Sequence, residues 1–270
     1  MSTYRTALSI AGSDCSGGAG IQADIKTMSA LGVYAMTAIT AVTVQNTCGV
    51  RAVAGIAPEI VKGQIEAIFT DIRPDAVKIG MLFTSDIASA VAGALRQFKA
   101  TNIVLDPVMV ATSGDKLLSD EAIETIKTQL IPLSDIITPN VAEALVLTGT
   151  TDSSKQCRIL HELGAKAVLL KGGDDKNATS ASTDILSLHK GSQLIRLTAP
   201  RIATANTHGT GCTLSSAIAS RLALGDSMEE AVTNAKTYIN RALEAGANVN
   251  IGHGHGPVNH LSAPHPLTIV

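Results

Sequence analysis

The run ALSIAGSDCSGGAGIQADIKTMSALGVYAMTAITAVTV, residues 7–44, decides the fold. Residues 7–11 are small and apolar, as suits a strand buried on both faces. A glycine-rich turn follows, Gly12-Ser13-Asp14-Cys15-Ser16-Gly17-Gly18-Ala19-Gly20, and residues 21–31 then place apolar side chains at helical spacing. Residues 37–44 return to a β-branched run. Two parallel strands cannot be joined by a tight turn, so strand, helix and strand in succession read as a parallel crossover unit.

The alternation continues outward from there. Strands are expected at 76–80, 102–106, 136–138 and 167–171, and helices at 59–71, 85–99, 120–130, 141–148, 156–163, 210–224 and 228–244. Ser85, Ser119 and Ser227 stand where helix N-caps should fall. Residues 50–56 suit an antiparallel return after the 37–44 strand, and 181–189 with 193–200 suit a hairpin around Lys190-Gly191. The polar stretch 173–181 reads as a surface loop, and the tail from Asn250 carries little pattern. No repeat or linker divides the chain, so one α/β domain spanning 1–270, with a mostly parallel central sheet, is expected.

Composition narrows the partners. Apolar residues make up 45% of the chain, with no apolar run of membrane-spanning length. The start of the chain lacks the cationic and apolar regions of a secretory leader, so a soluble, cytoplasmic protein is expected. A net charge of −2, 2% aromatics and no Trp argue against a nucleic-acid partner, which would call for basic stripes and stacking rings. The four cysteines show no metal-ligand spacing and read as reduced thiols.

Unusual residues cluster at one kind of position. Gly12, Gln45, Met81, Asp106, Asn140 and Lys171 each follow an expected strand, the edge at which open parallel sheets bind ligands. The strongest local motif is Thr207-His208-Gly209-Thr210-Gly211-Cys212-Thr213, opening a helix rich in Ala and Ser. Glycines at a helix start leave backbone N–H groups free for an anion, and the helix dipole favours it. Cys212 in that first turn is placed where a thiol pKa can be lowered. Gly18-x-Gly20-x-x-Ala23 imitates a dinucleotide fingerprint. However, its glycines lie too far beyond the strand, and Gln45-Asn46 stands where a ribose acid belongs. There is no P-loop motif either. Asp106-Pro107 and Thr138-Pro139-Asn140 leave polar groups at strand ends. Asn140 reads either as an N-cap, with Glu143 completing a capping box, or as a site residue. Asp106 and Glu143 are candidates to hold Mg²⁺ through water. Lys171-Gly172-Gly173 suits a nucleotide phosphate or a solvated turn. His253, His255 and His260 lack apolar support to orient their rings, which argues against a metal there.

Taken together these runs resemble the ribokinase superfamily, and within it the hydroxymethylpyrimidine/phosphomethylpyrimidine kinase family of thiamine synthesis. The matching stretches are Ser9 to Asp14, Ser16 to Asp24, Ala38 to Asn46, Lys78-Ile79-Gly80-Met81, Asp106-Pro107-Val108-Met109, Thr138-Pro139-Asn140, Lys171-Gly172-Gly173, His208 to Cys212 and a glycine-rich tail with Pro257-x-x-His260. The resemblance implies a three-layer αβα ribokinase-like fold, a homodimer, ATP and Mg²⁺. It implies that Gln45 pairs with an aminopyrimidine edge in a pocket shaped by Gly12, Asp24, Met81 and Val108. A Gln amide can donate to a ring nitrogen while accepting from an exocyclic amine. It makes Gly209, Thr210, Gly211 and Cys212 the anion hole, with Cys212 where most ribokinase relatives carry an Asp base, and it gives Lys171, Asn140 and His208 to the nucleotide. Two phosphorylations are implied, of the hydroxymethyl group and then of the monophosphate. Related pyridoxal kinases carry a lid cysteine after Asp-Pro-Val-Met-Val; Ala111 stands there and weakens a pyridoxal reading.

Overall fold

In the computed structural model, which describes residues 2–109, 118–172 and 180–270, the opening crossover is β1 (Thr6–Asp14), α1 (Gly20–Ala30) and β2 (Tyr34–Asn46). β1 and β2 pair in parallel from Thr6 opposite Tyr34, and the register shifts between Ala11 and Ser13, around Gly12. The antiparallel return is β3 (Gly49–Gly55). After it come α2 (Pro58–Asp71), β4 (Ala76–Ile79), α3 (Ser85–Gln97), β5 (Ile103–Leu105), α4 (Asp120–Thr125), β6 (Ile136–Ile137), α5 (Val141–Thr148), α6 (Ser153–Glu162) and β7 (Ala167–Leu170). The hairpin β8 (Ala181–Leu188) and β9 (Gln193–Pro200) precedes α7 (Thr210–Ala223) and α8 (Met228–Gly246).

The strands form one nine-stranded sheet in the order β3-β2-β1-β4-β5-β6-β7-β8-β9, antiparallel only where β3, β8 and β9 join. Side chains alternate across it, as the period of a strand requires. Leu8 and Ile10 of β1, Val77 and Ile79 of β4 and Ile103 and Leu105 of β5 enter the core under α2, α3 and α6. Ala7, Ala76 and Val104 face the opposite core with α1, α7 and α8. This is the three-layer αβα arrangement.

Some expectations shift locally. The cap of α3 is Thr84, whose hydroxyl accepts from Ile87 N–H, and Ser85 is the first helical residue; Ser119 and Ser227 do cap α4 and α8. The expected 120–130 helix is α-helical only to Thr125 and continues as a wider π turn, Ile126–Leu130, into a tight turn containing Pro132. Proline there lacks the N–H that would extend an α ladder. The stretch 173–179, and with it Gly173, lies outside the described residues, as does Ala111.

The tail is more ordered than its pattern suggests. His255 N–H bonds the Thr47 carbonyl, His208 N–H bonds the Gly256 carbonyl, and Val258 and His260 are buried. Tyr238 donates its hydroxyl to the His260 carbonyl at 2.6 Å. Burial, assisted by Lys26 and His208, pushes the His260 imidazole down from 6.5 to about 4. The unfolded chain therefore takes up this proton before the folded one does. Stability from this group is full above pH 6.5 and is lost as pH falls toward 4, by roughly 3 kcal/mol. Thermal melts between pH 7 and pH 4 should show this loss, and His260→Asn should flatten it; an unchanged acid slope in that variant would assign the loss elsewhere.

Candidate active site

The carboxyl ends of the parallel strands open into one cleft of about 620 Å³. Strand order sets its layout: Gln45 near the end of β2, Gly12 in β1, Met81 after β4, Asp106 and Val108 after β5, Asn140 after β6 and Lys171 after β7 all line it. His208, Gly209, Thr210, Gly211 and Cys212 face them from the start of α7, and Glu143 from the first turn of α5. Among the residues expected at the site, Asp24 alone does not line the cleft. It lies wholly buried beneath it, 2.8 Å and 2.9 Å from the Lys78 ammonium and bonded by the hydroxyls of Ser9 and Ser216. An ionised carboxylate can be buried only when paired in this way, so Asp24 serves the floor of the site and does not touch its contents.

Two glycine loops build the centre. Gly209 precedes α7 as its N-cap at φ +76, and a Cβ there would overlap the Gly18 carbonyl oxygen. The α7 ladder starts with Thr213 N–H to the Gly209 carbonyl, and Thr210 N–H turns back to Thr207. By helix geometry the amides of Gly211 and Cys212 have no acceptor within the helix and point outward from its positive end. α7 itself is rich in small residues, which lets it sit close to the sheet; Ser215 and Ser216, one turn beyond the loop, reach Asp106 and Asp24.

The charges interlock. Lys171 Nζ lies 2.8 Å from Asp106 Oδ1 and 3.9 Å from Glu143 Oε2. Burial disfavours ionised Asp106, but Lys171 and Lys78 outweigh it and hold the carboxyl below its ordinary range. Burial likewise opposes the Lys171 ammonium, and Asp106 and Glu143 outweigh it. Asn140 and Glu143 form the full capping box of α5, at 2.8 Å and 2.9 Å. The cap and the cleft wall are the same residues, so the two readings of Asn140 are compatible.

Two residues depart from expectation. Burial pushes the Cys212 thiol up to about 11, and Asp24 and Asp106 add to this, outweighing Lys78 and the Gly20 N–H. The helix start does not produce a depressed thiol. His208, expected at the nucleotide, lines the cleft with its Nε2 2.8 Å from Asp14 Oδ2 and 3.3 Å from the Gln45 amide.

Beyond β7 the cleft extends between the β8–β9 hairpin, residues 200–204 and α8, where Ile202, Ile239 and Leu243 give it an apolar wall and Lys236 pairs with Asp184 at 2.7 Å. Sequence reading missed this end. Its apolar residues carry only the helical and loop pattern of ordinary core.

Residues 14–259 match the family described as Phosphomethylpyrimidine kinase. The chain belongs to that family. A hydroxymethylpyrimidine/phosphomethylpyrimidine kinase of Rhizobium meliloti is 49% identical over 94% of this chain and 96% of its own. The crystal structure of phosphomethylpyrimidine kinase from Clostridium difficile matches with a TM-score of 0.77 at 45% identity, over 88% of this chain and 99% of that one. Pyridoxal kinase from Staphylococcus aureus, in complex with AMP-PCP and pyridoxal, matches with a TM-score of 0.86 at 32% identity, over 96% and 94%. The family's kinases and its pyridoxal-phosphorylating neighbours thus share the ribokinase-like frame seen here. No described helix is long and apolar enough to cross a membrane.

Proposed function

We infer that this chain transfers the γ-phosphoryl group of ATP first to the hydroxymethyl oxygen of 4-amino-5-hydroxymethyl-2-methylpyrimidine and then to the phosphate of the resulting monophosphate, as a thiamine-biosynthetic kinase. The observation that carries this reading is the single cleft that joins the Gln45 amide to the Gly209–Cys212 anion hole in a chain of this family. Gln45, Gly12, Met81 and Val108 receive the pyrimidine, and the slot between residues 200–204 and α8 receives the adenine. Lys171 meets the nucleotide phosphates.

In the first step the hydroxymethyl oxygen attacks the γ-phosphorus, the bond from that phosphorus to the β-phosphate oxygen breaks, and ADP leaves. The hydroxymethyl proton passes to Cys212 as thiolate. The Gly211 and Cys212 amides are aimed where charge gathers on the transferring oxygens, the main source of acceleration when little covalent chemistry is required. The second step differs, because its nucleophile is a phosphate oxygen that is already ionised. Mg²⁺ fits the hard oxygen donors: Asp106 and Glu143, two carboxylates sharing one ammonium, would hold it through water, where it would neutralise phosphate charge. The enzyme is taken to act as one domain, as a homodimer and in the cytoplasm, in keeping with the family resemblance and the composition; sedimentation velocity tests the dimer.

Coupled ADP release with Mg-ATP should show turnover on the pyrimidine and on its monophosphate, with pyridoxal far weaker. Pyridoxal as the best acceptor would overturn the pyrimidine reading and leave the nucleotide half in place. Gln45→Leu should raise the pyrimidine KM by about 10-fold or more, as expected when a buried polar recognition contact is lost, with the ATP KM unchanged. An unchanged pyrimidine KM would remove Gln45 from the pocket.

A further inference from the structure

Gln45 does not stand alone in the cleft. Asp14 accepts from the N–H groups of Ser16, Gly18 and Ala19 and from the Ser16 hydroxyl, and its Oδ2 lies 2.8 Å from His208 Nε2. Burial opposes the ionised Asp14 carboxyl, but the bonds from His208, Ser16 and Ala19 outweigh it and hold it below the ordinary carboxylate range. An acceptor of this kind requires a proton on His208 Nε2, which settles the tautomer. The ring packs closely on Gly18, where a Cβ would overlap its Cδ2, and the backbone of His208 is bonded to Gly256 in the tail.

The other end of the Gln45 amide meets Thr43 Oγ1 at 3.2 Å. The single hydroxyl proton of Thr43 goes to the Ser13 carbonyl at 2.9 Å, so toward Gln45 this hydroxyl acts as an acceptor. The one His208 Nε2–H goes to Asp14 at 2.8 Å and reaches Gln45 at 3.3 Å only as a shared second contact, while Thr43 faces Gln45 as an acceptor. Gln45 Nε2 stands toward His208 and Oε1 toward Thr43, which sets N–H against N–H at His208; exchanging the two ends, as an amide's near-symmetric shape allows, turns the oxygen toward His208 and the nitrogen toward Thr43 and relieves this.

We propose that His208, held by Asp14, is a positioning residue that sets which end of the Gln45 amide faces which side of the cleft and so selects the ring edge that Gln45 reads. This rests on Gln45 receiving the pyrimidine. The spare lone pair of the amide oxygen then lies on the His208 side and calls for a ring-borne amine there. The spare N–H lies on the Thr43 side and calls for a ring nitrogen. A ring presenting a carbonyl in place of the amine meets oxygen with oxygen and is rejected.

The test is steady-state kinetics on His208→Met, His208→Gln, Gln45→Leu and the double variant Gln45→Leu/His208→Met, with pyrimidine and ATP varied in turn and folding checked by thermal melting. Methionine fills the ring's place without a donor, and a Gln amide can restore one. The expected result is a pyrimidine KM raised about 10-fold in His208→Met with the ATP KM unchanged, recovery to within about 2-fold in His208→Gln, and no further rise when His208→Met is added to Gln45→Leu, because residues acting through one contact are not additive. Discrimination against the 4-oxo analogue should fall in His208→Met and return in His208→Gln. Additive effects in the double variant, a changed ATP KM, or a His208→Met enzyme with normal pyrimidine KM would each overturn the proposal while Gln45→Leu remains impaired. A normal pyrimidine KM in Gln45→Leu would overturn the pocket reading itself and the proposal with it.

Discussion

Cys212→Ala should lower turnover on the hydroxymethyl substrate by at least about 100-fold while leaving substrate binding near normal, the scale of losing a general base. The same variant should lose much less on the monophosphate, whose attacking oxygen has no proton to surrender. Single-turnover measurements on the two substrates, side by side, would show the split. Equal losses on both would make Cys212 part of the anion hole only, and near-normal turnover on the alcohol would remove it from the base role. The pH profile supplies the sign. The thiol lies at about 11, so at neutral pH almost all of it is protonated. First-step turnover that depends on the thiolate should climb about tenfold per pH unit above neutrality, with no plateau below that value, and Cys212→Ala should not show this climb.

Gly209→Ala should be nearly as damaging, for a mechanical reason. The residue sits at φ +76, and its new Cβ would overlap the carbonyl oxygen of Gly18 and crowd the Ala19 Cα, backbone atoms with no side-chain freedom to yield. Either the 12–20 loop or the start of α7 must move, and the Gly211 and Cys212 amides move with it. Losing one well-aimed donor to a developing anion costs about 100- to 1000-fold in turnover. A fall of that order, with the pyrimidine KM changed far less, is expected. An Ala variant with full turnover would show that the α7 amides do not carry the transition-state charge.

Much of the frame was legible because it rests on local rules. The apolar runs at 7–11, 76–80 and 167–171 could be strands only, since they are too short for buried helices and are followed by amphipathic stretches. The capping box at Asn140 and Glu143 could be read from three residues of spacing. The glycines at 209 and 211 could be read as a helix start with permissive backbone and free amides, and that start does line the cleft. Where such rules met long-range contacts they failed. Asp24 looked like a pocket residue in its motif, yet it lies beneath the floor because Lys78, from a strand fifty-four positions away, neutralises it there. The tail from Asn250 carried little secondary-structure pattern because its order comes from Thr47, Asn206 and His208 and not from any period of its own.

The sequence by itself determined the alternation of strands and helices, the edge of the sheet at which the cleft opens and the residue types gathered there, because each follows from backbone sterics and apolar period within a few turns of chain. Only the tertiary structure decided the protonation of Cys212, the burial of Asp24 and the seating of His208 between Asp14 and Gln45. Charge and hydrogen-bond energies depend on distance and dielectric, and these exist only once Lys78, Asp106, Asp14 and the tail have been brought together from remote parts of the chain.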